Sequence, residues 1–251
     1  MVSPDPMDTG RVDSHIDSHI DSHVDSHVDS HVDSHGDGLL ESDVLESPYL
    51  QVQAWVDGAL AAAEARGDGS EPMALSVGTV DAAGAPNVRT VLMRFFDERG
   101  PGFVTNLQST KALELASNPR IAASLTWPEI YRAVRFRGVA ELISRQEVEE
   151  YFETRPYGSR LSAWASEQSR PAAGREELER RWHEALERYP DHGRQGDVPV
   201  PDFWGGYRVR CDEVEFWAGR VNRLHDRLVF TRTREGDLAD AGSWTLSRRQ
   251  P

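Results

Sequence analysis

Apolar residues recur along this chain with two different periods, and the switches between them predict its elements. Leu50, Trp55, Val56 and Leu60 fall at roughly helical spacing within residues 49–66, and Gly67-Asp68-Gly69 stops that run. Residues 73–80 read as a strand, 82–86 as a turn and 87–96 as a second strand. Another turn at 97–101 leads into a short extended piece at 102–105. Ser109 opens a helix to Ser117 that Asn118-Pro119 closes. Residues 121–126 and 130–143 are further strands. Ser144-Arg145-Gln146-Glu147 is a capping box that starts a helix to about residue 154. Residues 174–189 read as a strongly amphipathic helix, with Leu178, Trp182, Leu186 and Tyr189 on one face. Strands follow at 206–210, 214–217 and 227–231, and 244–247 reads as a last one. Many short strands with helices between them predict an α+β fold built on an antiparallel β-barrel with peripheral helices. No GxGxxG or Walker loop follows a strand, which excludes Rossmann and P-loop readings.

The first 47 residues break this pattern. Residues 12–35 are six tetrads in register, VDSH, IDSH, IDSH, VDSH, VDSH, VDSH, and they hold six of the nine histidines. One short apolar residue in four cannot support a core, so the expectation is a disordered tail over 1–47 and a folded domain over 48–251. The repeat is either a tandem expansion without a selected role or a loose trap for divalent metal, because His and Asp are both ligands. No fixed metal site is expected. Ten Asp and two Glu against one Arg give the tail −11 of the chain's net −14. The body is therefore nearly neutral, which argues against duplex nucleic acid as a partner. Cys211 is the only cysteine, so no disulfide can form within the chain, as suits a reducing compartment. There is no run of 18 apolar residues and no signal-like N-terminus, so no membrane association is expected and the predicted location is cytoplasmic.

Four segments could carry chemistry. Arg89-Thr90-Val91-Leu92-Met93-Arg94 sets two guanidinium groups around an apolar strand. They are phosphate ligands or solvated strand residues, and strict alternation places them on opposite faces. Thr105-Asn106-Leu107-Gln108-Ser109-Thr110-Lys111 joins a strand to a helix start and holds the chain's only lysine. It offers free backbone N–H groups to an anion, or Ser109 simply caps the helix. Arg223-Leu224-His225-Asp226-Arg227 would place Arg223, His225 and Arg227 on one face if extended. Residues 151–159 and 164–169 gather polar donors where helices break. These pieces bind anions but include no nucleophile–base pair, which suggests a bound cofactor performing the reaction.

The segments RTVLMR, TNLQSTKALELASNPR, YFETRPYGSRLSAWASEQS, VPVPDFWGGYRV and VEFWAGRVNRLHDR, in this order, resemble the pyridoxamine 5′-phosphate oxidase family. The match runs from about Tyr49 to Pro251 and leaves the tail outside. The resemblance implies an FMN-binding split β-barrel and a homodimer with FMN at the subunit interface. It implies oxidation of a small phosphorylated B6 vitamer, pyridoxamine or pyridoxine 5′-phosphate, to pyridoxal 5′-phosphate by O2, releasing H2O2. It assigns Arg89, Thr90, Val91, Leu92, Met93, Arg94, Val104, Thr105, Lys111, Gln168, Ser169, Trp217 and Arg227 to FMN. It assigns Arg94, Tyr151, Arg155, Ser159, Arg223, Leu224 and His225 to substrate, with Arg223 and His225 nearest the chemistry. An interface site also removes the parity objection to Arg89 and Arg94. Three positions depart from the family pattern: Arg94 stands where Lys is usual, Thr110 where Arg is usual and Ala133 where Gln is usual. Related flavin oxidases of phenazine-type biosynthesis share the scaffold and are the alternative enzyme reading. A non-catalytic flavin- or metal-binding protein is the alternative from another class.

Overall fold

The structure is a computed structural model that describes residues 38–251. Nine strands form one antiparallel sheet in the order β2-β1-β5-β6-β7-β4-β3, with β8 and β9 continuing from β7. The strands are β1 (Ala74–Val80), β2 (Pro86–Leu92), β3 (Phe95–Asp97), β4 (Gly100–Asn106), β5 (Arg120–Trp127), β6 (Arg132–Leu142), β7 (Trp204–Ala218), β8 (Asp226–Arg232) and β9 (Trp244–Arg249). The helices are α1 (Pro48–Arg66), α2 (Thr110–Ser117), α3 (Arg145–Thr154), α4 (Tyr157–Ala165) and α5 (Arg175–Arg188).

β7 organises the sheet. Its first residues pair with β4, from Trp204↔Asn106 to Arg208↔Gly102, and its last six pair with β8. Its other edge pairs with β6 from Tyr207 to Ala218. One long strand thus serves three partners, which splits the barrel. The β6–β7 register shifts between Arg137 and Gly138, so that Asp212 is the extra residue of a bulge. A Cβ on Gly138 would lie 2.0 Å from the Arg210 carbonyl oxygen, so the close approach requires glycine.

Two apolar cores result. One fills the barrel with Leu75, Val77, Phe103, Leu125, Phe136, Phe216 and Leu228, and α1 adds Val52 and Trp55. The second lies under α3, α4 and α5, where Phe152 meets Trp204 edge-on at 4.9 Å between ring centroids. Helix ends follow the sequence signals. Ser47 accepts from the Leu50 N–H, Gly67 closes α1 at φ 62, and the Ser144–Glu147 box caps α3.

The structure differs from the sequence expectation in several places. The 87–96 strand is two strands, because the chain turns at Met93-Arg94 and the Arg94 N–H bonds to the Gly102 carbonyl. The strands expected at 206–210 and 214–217 are one, since the bulge absorbs the polar residues between them. Residues 157–165 form a helix that polar composition had concealed. Leu60 and Leu178 are 44% and 43% exposed, so neither belongs to its helix's buried face. Residues 38–47 also belong to the body, not to the tail. Leu39 is buried, and its N–H donates to Asp226 at 2.9 Å. Glu41 pairs with Arg248, which also reaches Asp226. The histidine repeat lies outside the described residues.

Candidate functional site

Chain geometry brings twelve of the expected residues into the wall of one cavity of about 580 Å³. β2 and the turn after it supply Arg89, Thr90, Val91, Leu92 and Arg94. The end of β4 and the start of α2 supply Val104, Thr105 and Lys111. Tyr151 and Arg155 come from α3 and its C-cap, and Gln168 and Ser169 from the loop after α4. The turn at Met93-Arg94 is why Arg89 and Arg94 reach one space despite their odd spacing. Met93 itself packs in the barrel core at 1% exposure and does not line the cavity.

Lys111 decides the electrostatics. It is 6% exposed, yet its Nζ meets only neutral oxygens: Thr105 Oγ1 at 3.0 Å, Gln168 Oε1 at 2.9 Å and Ser109 Oγ at 3.4 Å. Among the described residues no carboxylate pairs with it. Burial, with help from the neighbouring Arg89 charge and against Glu114, pulls its pKa down to about 8. Ser109 precedes α2 without capping it through its side chain, so the alternative of a simple side-chain cap is not observed. Arg155 lies over the rings of Trp204 and Phe152, and its buried Nη1 has no hydrogen-bond partner. Burial lowers its pKa, Tyr151 opposes the shift and the nearby Arg94 adds to it. Arg89 differs, because Glu114 pairs with it at 2.8 Å. Two cation pairs, Lys111 with Arg89 and Arg155 with Arg94, therefore stand in one wall, and among the described residues a single carboxylate, Glu114, stands against them.

Asn87 and Thr110 also line this cavity, and Thr79 and Glu114 stand behind it. Sequence reasoning passed over Asn87, Thr79 and Glu114. The available signal was Glu114 at three residues from Lys111, one turn along the same helix face. A larger cavity of about 960 Å³ opens among β1, β2, β5, β6, β7 and β8. Its cations are matched by acids, Arg120 by Asp212 and Arg137 by Glu213, so it lacks the charge excess that an anion needs.

The remaining expected residues lie outside this cavity. Ser159 sits in the first turn of α4, and Trp217, Arg223, Leu224, His225 and Arg227 form a second group along β7 and β8. Trp217 and Arg227 are cross-strand partners. The His225 ring lies against Trp217 at 4.8 Å, and its Nδ1 accepts from the Arg220 N–H at 3.1 Å. A neutral His225 thus carries its proton on Nε2. Burial and then the Arg223 charge lower its pKa, with Asp226 opposing them, so the net shift favours the neutral ring. Arg227 forks onto buried Glu215 through Nε at 3.1 Å and Nη2 at 2.7 Å. The segment before it is not extended, so the condition for a shared face is not met. Residues 221–223 make a 3₁₀ turn in which Asn222 and Arg223 have φ 56 and 58. Arg223, His225 and Arg227 therefore do not share one strand face.

The fit of FMN to the first cavity can be judged from these donors. A buried ammonium without a carboxylate and a buried guanidinium N–H without an acceptor both call for an anion. Val91, Leu92 and Val104 supply apolar wall for a ring system. These residues fit a phosphate-bearing aromatic ligand. The Lys111 pKa then makes binding pH-dependent. The charged lysine binds phosphate, so affinity should fall as pH rises through about 8. We expect the dissociation constant of FMN to rise roughly tenfold between about pH 8 and 9.5, measured by quenching of flavin fluorescence. For the ligand-free fold the sign is opposite. The folded pKa lies below the unfolded one, so this group's contribution to stability improves over the same range. A flat binding profile would remove Lys111 from the anion site.

Comparison with known proteins agrees with this geometry. A family described as pyridoxamine 5′-phosphate oxidase matches residues 62–189, and one described as the pyridoxine 5′-phosphate oxidase C-terminal dimerisation region matches residues 204–251. The chain is 46% identical over 213 residues to a pyridoxine/pyridoxamine 5′-phosphate oxidase of Kineococcus radiotolerans, covering 84% of this chain and 92% of that one. It is 43% identical over 215 residues to the same-named protein of Nostoc punctiforme, covering 86% and 94%. Among solved structures it resembles PhzG from Burkholderia lata, in complex with tetrahydrophenazine-1-carboxylic acid. The TM-score is 0.72 at 28% identity, with 86% of this chain and 98% of that chain covered.

Proposed function

This chain belongs to the pyridoxamine 5′-phosphate oxidase family, and from that premise we propose that it is an FMN-dependent oxidase of pyridoxamine and pyridoxine 5′-phosphates. The observation that carries the reading is the pair of cationic subsites in one cavity wall. A flavin mononucleotide and a phosphorylated substrate need two phosphate sites, and Lys111 with Arg89 and Arg155 with Arg94 supply them. We assign the first pair, with Thr105, Gln168 and Ser169, to the FMN phosphate, and the second, with Tyr151 and Ser159, to the substrate phosphate.

Bound FMN supplies a two-electron oxidant that O2 regenerates, giving H2O2. The chain's own residues bind, orient and exclude water. Val91, Leu92 and Val104 would offer apolar wall to the flavin ring, and Arg155 and Arg94 would hold the substrate by its phosphate. Trp217, Arg223, His225 and Arg227 lie in the C-terminal segment that matches a dimerisation region. In the proposed homodimer they complete the cavity of the partner subunit, with Arg227 on FMN and Arg223 and His225 on the substrate. Neutral His225 would present Nε2–H as a donor and need not remove a proton.

A second reading, oxidation of a phenazine precursor, is favoured by the structural likeness to PhzG. Phosphate discrimination separates the two. The B6 reading expects kcat/KM for pyridoxine 5′-phosphate to exceed that for pyridoxine by at least about 10³, the scale for leaving charged binding groups unpaired. It also expects Arg155→Ala to erase most of that preference. Equal rates with and without the phosphate, or turnover of a tetrahydrophenazine carboxylic acid alone, would transfer the assignment to the second reading.

A further inference from the structure

Glu114 does not line the cavity, yet it organises one of its cations. It is 7% exposed on α2, and its carboxylate is nearly saturated. Oε2 accepts from the Thr79 hydroxyl and from Arg89 Nη2, and Oε1 accepts from Asn87 Nδ2 at 3.0 Å. These bonds outweigh the effect of burial and hold its pKa below the ordinary carboxylate value. Arg89 is gripped in turn. Its Nη1 donates to the Val77 carbonyl at 3.2 Å and to Thr79 Oγ1, which leaves Nε–H and one Nη2 N–H for a ligand.

The placement has an electrostatic cost. A carboxylate one helical turn from Lys111 opposes any anion that Lys111 attracts. Arg89 stands on β2, where most residues are exposed, and an unheld arginine would lose much side-chain freedom on binding. Holding it in place beforehand removes that penalty.

We propose that Glu114, with Thr79, is a positioning residue that fixes the Arg89 guanidinium against the FMN phosphate. The inference rests on the cavity being the FMN site. A residue that only neutralised charge would behave in the opposite way. Glu114→Gln raises the positive charge of the wall by one, so pure electrostatics requires tighter FMN binding, whereas positioning requires weaker binding.

The test titrates FMN into apo-protein and follows quenching of flavin fluorescence, for wild type, Glu114→Gln, Arg89→Ala and the double variant. Glu114→Gln should bind about tenfold more weakly, within the usual range for a coupled pair. In the Arg89→Ala background the same change should have no penalty or should tighten binding, because no guanidinium remains to hold. Thr79→Val, an isosteric change, should weaken binding about threefold in the same Arg89-dependent way, and it carries the test if Glu114→Gln fails to fold. Tighter binding by Glu114→Gln, or an equal penalty with and without Arg89, overturns the inference while leaving the FMN reading intact. A wild-type protein that does not bind FMN overturns both.

Discussion

Arg223→Ala and His225→Ala proteins should purify yellow and lose about 10²-fold in kcat/KM each, the scale of a misplaced reacting group. Arg227→Ala should purify with little flavin. The three residues have different surroundings even though they are near neighbours in sequence. Arg227 is a rigid strand residue opposite Trp217, locked by two bonds to Glu215. Arg223 stands in a 3₁₀ turn with a left-handed backbone, a conformation that costs about 1 kcal/mol or more for a side chain of this type. His225 is oriented from behind by the Arg220 N–H. A strained turn and an oriented imidazole suit contact with a substrate that comes and goes. A strand arginine fixed by a carboxylate suits a resident cofactor. Flavin content by absorbance and steady-state kinetics check this together. A colourless Arg223→Ala protein beside a yellow, inactive Arg227→Ala protein would reverse the two assignments.

Lys111→Met should weaken FMN binding by about 1.5–3 kcal/mol, or roughly 10- to 150-fold, as expected for loss of a charge-assisted hydrogen bond. The same change should stabilise the apo-protein. Methionine keeps the apolar stem, and it removes a buried ammonium whose hydrogen-bond partners are all neutral. A gain near 1 kcal/mol would raise the apo-protein Tm by about 2–4 °C. Opposite changes in stability and affinity would mark a residue kept for a ligand at the expense of the fold. A loss of both would make Lys111 an ordinary structural residue.

Much of this was legible from sequence, for identifiable reasons. The Ser144–Glu147 box, the Gly67 stop and the Asn118-Pro119 break are local signals, and they gave their helix ends correctly. An arginine-bounded apolar strand and a strand-to-helix corner raised β2, β4 and α2 as anion-site candidates beside plainer readings, and it was the family resemblance that assigned their residues to the cofactor. What was missed depends on contacts distant in sequence. Glu114 reads as a surface helix residue until Thr79, Asn87 and Arg89 fold onto it. The β7 bulge hides a strand of 15 residues behind a polar interruption. Docking of residues 38–43 depends on Asp226 and Arg248, about 190 and 210 positions away along the chain, and no local pattern announces it.

The most direct measurement is product formation by the purified, FMN-loaded protein supplied with pyridoxamine or pyridoxine 5′-phosphate and O2. Pyridoxal 5′-phosphate is followed by its absorbance and H2O2 by a peroxidase couple. The two products should form in equal amounts, with turnover lost in Arg155→Ala and restored in part by high substrate. Tight FMN binding with neither product formed from either B6 phosphate would contradict the proposed oxidase function.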